Sequence, residues 1–337
     1  MKIRNLKYVF KIKYGQRFYE KKEGKGLLII PKIISYLTKK RLKVKKDIFV
    51  VFDSLNPVNQ CTHPDLIRTN KCGDKLILTV SGYPFNIARF ENPYVFVSND
   101  GIHFSNPLGK EAVVTYKGKG SSHYSDSEIV EDNGLFYLFY RMCYEEKDNQ
   151  RIVIYANSSS NLSEWNNEIE VFSKAGRVYL SPSIIKTETK YHMYYVDCID
   201  LNSGKYALMR KIAHDVLFRD VISTEKLTII NQPEGQEIWH IDVIPEGDRL
   251  LGLFTFTMGD AAAKTRLYYS QSDDYGKTWK IGQEVKFDIN MKIVKRVYRS
   301  TMIKNDKGFW NIYYAVCTNN NCWFLICSKD CIVPEIK

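Results

Sequence analysis

Several absences narrow the class of this 337-residue chain before any motif is read. None of its eight cysteines (Cys61, Cys72, Cys143, Cys198, Cys317, Cys322, Cys327 and Cys331) falls in a Cys-x-x-Cys pair, so a thiolate zinc cluster has no support. No apolar run is long enough to cross a bilayer; the longest, residues 26–37, contains Pro31 and Lys32. The N-terminus is charged but has no apolar leader core, because Lys7, Lys11 and Lys13 interrupt it. The expected compartment is therefore the cytoplasm, with reduced thiols packing as small hydrophobes inside apolar runs. Acidic residues are almost missing from one stretch. Residues 1–46 hold 16 Lys+Arg against 2 Asp+Glu, a net of +14. Of the 49 basic and 38 acidic residues overall, the rest of the chain thus keeps 33 and 36, a net of −3. The basicity belongs to an N-terminal arm, and a near-neutral body argues against nucleic acid as a partner.

What is abundant is aromatic: 13% of residues, 23 of them Tyr. Such side chains suit pleated, half-buried strands, and they also suit sugar faces. One pattern then recurs. A polar residue opens two apolar ones, a polar turn follows, and a second aromatic or β-branched run comes after it. Its instances start at Asp65, Glu128, Ser183, Asp242 and Thr301, at intervals of 63, 55, 59 and 59 residues. Turns such as Asn133-Gly134 and Lys307-Gly308 have hairpin chemistry. Five units of four antiparallel strands, repeated radially, predict an all-β fold: a five-bladed β-propeller over residues 47–337 with a short basic N-terminal extension, residues 1–46. The strand-like run at residues 47–53 is placed to complete the fifth blade.

Residues 272–279 (Ser-x-Asp-x-Gly-x-Thr-Trp in outline) match the sialidase-type Asp-box, with relatives at residues 98–104 and a degenerate copy at 158–165. In propellers this is a rim hairpin, so Asp274 is read as structural. The count of five units and the charged residues opening each inner strand resemble glycoside hydrolase families 43 and 32 and their relatives. That resemblance covers roughly residues 47–331. It implies carboxylates on the first three inner strands, facing a central funnel. Asp65 of His63-Pro64-Asp65 falls at the first position and Asp126 at the second, with Glu128 as its alternative. The third position, Leu180-Ser181-Pro182-Ser183, offers no carboxylate, which leaves the general acid without an obvious bearer.

Equivalent positions should converge on the axis. One offset collects Asp65, Glu128, Ser183, Asp242 and Thr301; two residues earlier come His63, Asp126, Ser181, His240 and Arg299. Charges on otherwise apolar strands are expensive unless paired or used. The expected catalytic groups are Asp65 (base), Asp126, Glu128 and Asp242, with Asp242 or Glu128 standing in for the missing acid. The expected substrate contacts are His63, His240, Arg299 (through its planar fork, to an anionic group), Trp239, Tyr124 and Arg89. Tyr179 and Tyr298 also lie near strand starts. Loops at residues 83–89, 141–150 and 258–264 would cover the funnel. No cofactor is expected; a channel cation near His240 is the one inorganic group considered, because some relatives of the resembled families carry one.

The arm contains Leu27, Ile30, Ile34 and Leu37 at helical spacing, disturbed by Pro31. It reads as a strap, as a holder of an acidic or lipid-linked glycan, or as a peripheral membrane contact through residues 20–46. The leading expectation is an enzyme acting on a glycosidic bond of an oligo- or polysaccharide. Glycosyl transfer or phosphorolysis on the same fold, a non-catalytic glycan-binding propeller, and a scaffold served by its basic arm remain as alternatives.

Overall fold

The computed structural model describes residues 29–336, apart from residues 72, 74, 110, 119–121, 147–148, 176–178, 201–204 and 259–263. It opens with one helix, α1 (Ile29–Leu42), followed by the two-residue strands β1 (Ile48–Phe49) and β2 (Val51–Phe52). The remaining strands form successive antiparallel meanders. The first is β3 (Cys61–Thr69), β4 (Lys75–Gly82) and β5 (Asn92–Ser98), trailed by β6 (His103–Phe104). The second is β7 (His123–Asp132), β8 (Leu135–Glu146), β9 (Asn149–Ser159) and β10 (Ile169–Ala175). The third is β11 (Tyr179–Lys186), β12 (Tyr191–Asp200), β13 (Lys205–Ala213) and β14 (Val221–Lys226). After β15 (Thr228–Ile230) comes the fourth: β16 (Gln236–Glu246), β17 (Arg249–Met258), β18 (Lys264–Ser272) and β19 (Thr278–Glu284). The last is β20 (Val294–Lys304), β21 (Trp310–Thr318) and β22 (Trp323–Cys331).

The first strand of each meander is the inner one. β3 packs on β7, β7 on β11, β11 on β16, β16 on β20, and β20 back on β3, which closes a ring. The N-terminal segment staples its ends together. β1 pairs antiparallel with β22 (Ile48↔Cys327), and β2 runs parallel to β6 of the first meander (Val51↔His103). Between neighbouring sheets lies dry core, such as Ile77, Val95, Ile129, Phe136, Leu138 and Val153 between the first two. The β7–β8 hairpin turns on Asn133 (φ 47°) and Gly134 (φ 75°), the pair of positive φ values that a type I′ turn demands.

The Ser-x-Asp turns share one hydrogen-bond plan. At residues 272–279, Ser272 Oγ accepts from Gly276 N, Asp274 Oδ1 accepts from Thr278 N, and buried Trp279 donates to Gly276 O. At 98–104, Ser98 Oγ accepts from Gly101 N, and Asp100 Oδ1 accepts from Ile102 N and His103 N. The degenerate copy begins at Ser159, with Asn161 in the aspartate's place, accepting from Ser163 N and Glu164 N. These bonds tie the serine hydroxyl and one aspartate (or Asn161) oxygen of each copy to the turn's own backbone, so the turn is a clasp.

Pro31 does not break α1, because it sits in the first turn, where a missing N–H costs nothing. The spaced apolar residues of α1 do not share one environment. Pro31, Ser35, Thr38 and Leu42 face the body, Ile34 is half-buried, and Ile30 and Leu37 face outward; Leu27 lies outside the described residues. The seven cysteines among the described residues are free thiols, most of them buried. No described helix is long and apolar enough to cross a membrane.

Candidate functional site

Each inner strand carries a β-bulge near its start, where the pairing register slips. The slips fall between Thr62 and Asp65, Ser125 and Glu128, Leu180 and Ser183, Ile238 and His240, and Val297 and Ser300. At three of them the extra residue is left-handed: His63 (φ 51°), Asp126 (φ 48°) and Ser181 (φ 50°). Non-glycine residues in that region cost of order 1–3 kcal/mol each and persist where a structure needs a side chain re-aimed. Here side chains two residues apart, such as His63 and Asp65 or Asp126 and Glu128, reach the axis in two layers.

The deeper layer holds Asp65, Glu128, Ser183, Asp242 and Thr301, all buried. Three of these accept a backbone N–H from the next inner strand: Asp65 from Ile129 (2.7 Å), Glu128 from Ile184 (2.7 Å) and Ser183 from Val243 (3.0 Å). Arg299, expected to meet a substrate anion, instead reaches down into this layer and is only 1% exposed. Its guanidinium donates to Glu128, to Ser127 O (2.9 Å) and to Pro182 O (3.3 Å), and lies 3.6 Å from Asp242 Oδ1. A guanidinium so engaged has no fork left for a ligand, which corrects the expected role. Burial raises the pKa of all three carboxyl groups against the pull of Arg299, Asp242 to about 7. The lower layer faces a cavity of about 700 Å³ lined by Asp65, Glu128 and Asp242 together with Ile67, Val130, Ile185, Ile244 and Ile303. Lys186–Asp132 and Lys304–Glu246 ion pairs stand at its rim.

The upper layer is chemically different. Asp126 is fully buried; its Oδ2 is held by Arg141 (2.8 Å) and Ser125 Oγ (3.1 Å). Its Oδ1 lies 3.5 Å from His63 Nε2, 3.3 Å from His240 Nδ1 and 3.3 Å from Ser181 Oγ, and Ser181 also bonds His240 Nδ1. Burial alone would raise the Asp126 pKa, but Arg141 and then the two imidazoles hold it well below the usual range, so the group is ionised. Burial pushes His240 down to about 3, so at neutral pH it is a neutral imidazole. Glu91 backs His63, with Oε1 3.1 Å from Nδ1, and accepts from Ser125 Oγ at 2.8 Å. The same Nδ1 also accepts from the backbone N–H of Asp126 at 3.4 Å, so Glu91 and the strained Asp126 backbone together fix the His63 ring. Nε2 of both histidines is buried without a hydrogen-bond partner. Tyr298 caps the pair, its ring 4.2 Å from that of His240 and 5.2 Å from that of His63.

Other expected contacts lie apart from this cluster. Tyr124 points into the core between sheets and donates to Glu168 (3.0 Å), and Arg89 is exposed in a loop with its guanidinium over Phe90. Trp239 packs edge-on against Tyr206 and donates to the Tyr298 hydroxyl (3.0 Å), so it braces the cap. The Tyr179 side chain, and parts of the expected 141–150 and 258–264 loops, lie outside the described residues. Glu91 and Arg141 were not legible as site residues. Nothing in their local sequence marks them, since both reach the cluster from second positions off the repeat.

No protein-family model matches the chain, and no curated protein matches it by sequence. Solved structures do match its fold. An N-acetylgalactosamine deacetylase from F. plautii, in complex with blood group B trisaccharide, superposes with a TM-score of 0.68 at 13% identity, over 85% of this chain and 94% of that one. A thermostable family-43 glycoside hydrolase gives 0.62 at 13% identity, over 82% and 91%. An α-L-arabinanase mutant from Cellvibrio cellulosa gives 0.55 at 14% identity, over 79% and 90%. At such identities the likeness is one of fold: the chain has the β-propeller fold of the family-43 glycoside hydrolases.

Proposed function

We propose that the chain is a carbohydrate-active, glycosidase-like enzyme built on five blades, and that its chemistry sits in the upper layer at His63, Asp126, Ser181 and His240. The observation that carries the reading is the combination of that fold with strained, inward-aimed polar residues at the ends of the inner strands. The blade count is supported by the five meanders in the closed ring, and the Asp-box reading by the shared turn bonds. The substrate is an oligo- or polysaccharide. In the hydrolytic sense, Asp126 is the ionised carboxylate, available to activate water or to stabilise positive charge at the sugar. Asp65, Glu128 and Asp242 act as scaffold beneath it.

A second reading is favoured by one specific observation. The distances of 3.3 and 3.5 Å from Asp126 Oδ1 to the two imidazole nitrogens are close to the edges of a tetrahedron with metal–ligand bonds of roughly 2.1 Å. Two histidines and a carboxylate suit a divalent transition metal, and Glu91 behind His63 is the carboxylate–histidine support such sites use. A metal there would supply Lewis acidity toward an amide carbonyl as well as a glycosidic oxygen. The neighbour named as a deacetylase makes N-acetyl removal from an amino sugar the reaction to set beside glycosidic cleavage.

One experiment separates them. Wild type and His240→Gln are assayed on a panel of aryl glycosides, neutral oligosaccharides and N-acetylated oligosaccharides, before and after chelation and readdition of Zn²⁺ or Mn²⁺. Reducing ends released without metal dependence support the first reading; acetate released only with metal supports the second. Equal turnover in His240→Gln would move the chemistry away from the upper layer.

A further inference from the structure

The orientation of α1 is the reverse of what a surface helix adopts. Leu42 and half-buried Ile34 pack on the core, but most of the face turned to the body is small or polar: Ser35 donates to Val58 O, Asn320 donates to Thr38 Oγ1, and Leu42 O accepts from Asn290 N. Its large apolar residues face out. Ile29 is 57% exposed, Ile30 42%, Ile33 50%, Tyr36 56% and Leu37 51%. At 100° per residue these five share an arc of about 120°. Lys32 and Lys39 flank one side of the arc, Arg41 the other, and Lys40 stands at its C-terminal end. Residues 29–46 carry seven Lys or Arg (Lys32, Lys39, Lys40, Arg41, Lys43, Lys45 and Lys46) and no acidic residue. An apolar patch this concentrated is costly in water and marks an interaction face.

We infer that α1 docks the protein on an anionic membrane surface, lying in the interface plane with Ile29, Ile30, Ile33, Tyr36 and Leu37 immersed and the flanking lysines among lipid headgroups. Charge decides between occupants. A second copy of this chain would bring its own Lys32, Lys39, Lys40 and Arg41 to the same face, and like charges repel. An anionic surface neutralises them and accepts the apolar stripe, and the two terms together are what interfacial helices use. The helix is already folded and braced by its polar side, so little ordering cost falls on binding. Its seat fixes what the membrane would face. Thr38 meets the turn between β21 and β22, and Thr318 at that turn pairs with Val294 at the start of β20. That is the end of the ring holding His63, Asp126 and His240. On the glycan reading above, which the docking itself does not require, the substrate would be one displayed at a lipid surface.

The test is flotation of the full chain with phosphatidylcholine vesicles, with and without phosphatidylserine, in low and high salt and with no glycan present. Wild type should float only with the anionic vesicles, and less so at high salt. The double variant Ile33→Glu/Leu37→Glu and the double variant Lys32→Glu/Lys39→Glu should each weaken binding by on the order of tenfold or more. Lys32, Ile33 and Leu37 are exposed, whereas Lys39 is half-buried with its ammonium 4.4 Å from the centre of the Phe49 ring, so an unchanged thermal melt is required of the lysine variant before its binding is read. Binding that ignores lipid charge, or that survives both double variants, overturns the inference; survival would place attachment elsewhere on the arm. A wild type that sediments as a dimer and becomes monomeric in Ile33→Glu/Leu37→Glu also overturns it, in favour of a second copy. Because no substrate enters the assay, its failure and a failure of the proposed enzymatic reading are separately visible.

Discussion

Two polar layers lie one above the other on the same axis, and they are alike by burial. Each has three groups whose ligand atoms lie within 4.8 Å of one another: Asp65, Glu128 and Asp242 below, His63, Asp126 and His240 above. They differ in how the groups are satisfied. Below, Arg299 supplies the counter-charge, and Asp65 and Glu128 clip the backbone of the neighbouring strand. Above, one ionised carboxylate faces two imidazoles, and His63, Asp126 and Ser181 are held at positive φ. Both layers leave buried polar atoms unmatched, Asp242 Oδ2 and Arg299 Nε below and the two histidine Nε2 atoms above, so what sets the upper layer apart is the strained backbone at His63, Asp126 and Ser181, a sign of a place prepared for something that arrives later. Convergence of charge on an axis therefore does not by itself identify a site.

The sharpest break of this contrast is Arg299→Met. It leaves three carboxyl groups enclosed without their cation, and truncating one partner of a buried ionic cluster costs about 3–5 kcal/mol. Urea unfolding should show a loss of that size or no cooperative transition at all. His240→Gln should shift the same curve by about 1–2 kcal/mol while abolishing turnover. If Arg299→Met unfolds at the wild-type midpoint, the lower layer is not scaffold and its carboxylates return as catalytic candidates.

The layers should also titrate in opposite senses. Asp242 is raised from 3.8 to about 7 in the folded protein, chiefly by burial, so between those values the folded state holds a proton the unfolded state has lost. Its contribution is fully present below pH 3.8 and is lost as pH rises through 7. His240 is lowered from 6.5 to about 3, again chiefly by burial. Its contribution is present above pH 6.5 and is lost as pH falls through 3. Each slope is of the order of 1 kcal/mol per pH unit at most. Stability measured from pH 3 to 8 should lose its fall toward neutral pH in Asp242→Asn, and part of its acid fall in His240→Gln. A slope that survives the matching substitution assigns it to another group.

Much of the architecture was legible, because period-two strands, polar turns and a repeat near sixty residues are local signals. The closing strand was legible too: Ile48–Phe49 pairs with β22 as the run at 47–53 implied. The sorting into two layers followed from spacing, and His63, Asp126, Ser181 and His240 do lie together. The reach of a side chain was not legible. Arg299 aligns with the upper layer by position but is long enough to drop into the lower one, where three acids draw it. The facing of α1 was not legible either. Amphipathic spacing identifies an apolar side, but only tertiary contacts reveal whether that side is turned toward the body.

Tyr124 gives the smallest effect and tests the boundary of the upper layer. It stands two residues before Asp126 on the same strand, so alternation puts both on one face, but the bulge intervenes between Ser125 and Glu128. Its ring meets Tyr140 edge-on in the core between sheets, and its hydroxyl reaches Glu168. Glu168 also accepts from Tyr140 at 2.7 Å, so losing the first bond leaves the carboxylate partnered. Tyr124→Phe keeps the ring and removes one hydrogen bond, which predicts a loss below about 1 kcal/mol and unchanged turnover. Turnover that falls tenfold with the melt unmoved would mean that Tyr124 turns toward the axis when substrate binds, and the site would then extend past the bulge into the core between the first two meanders.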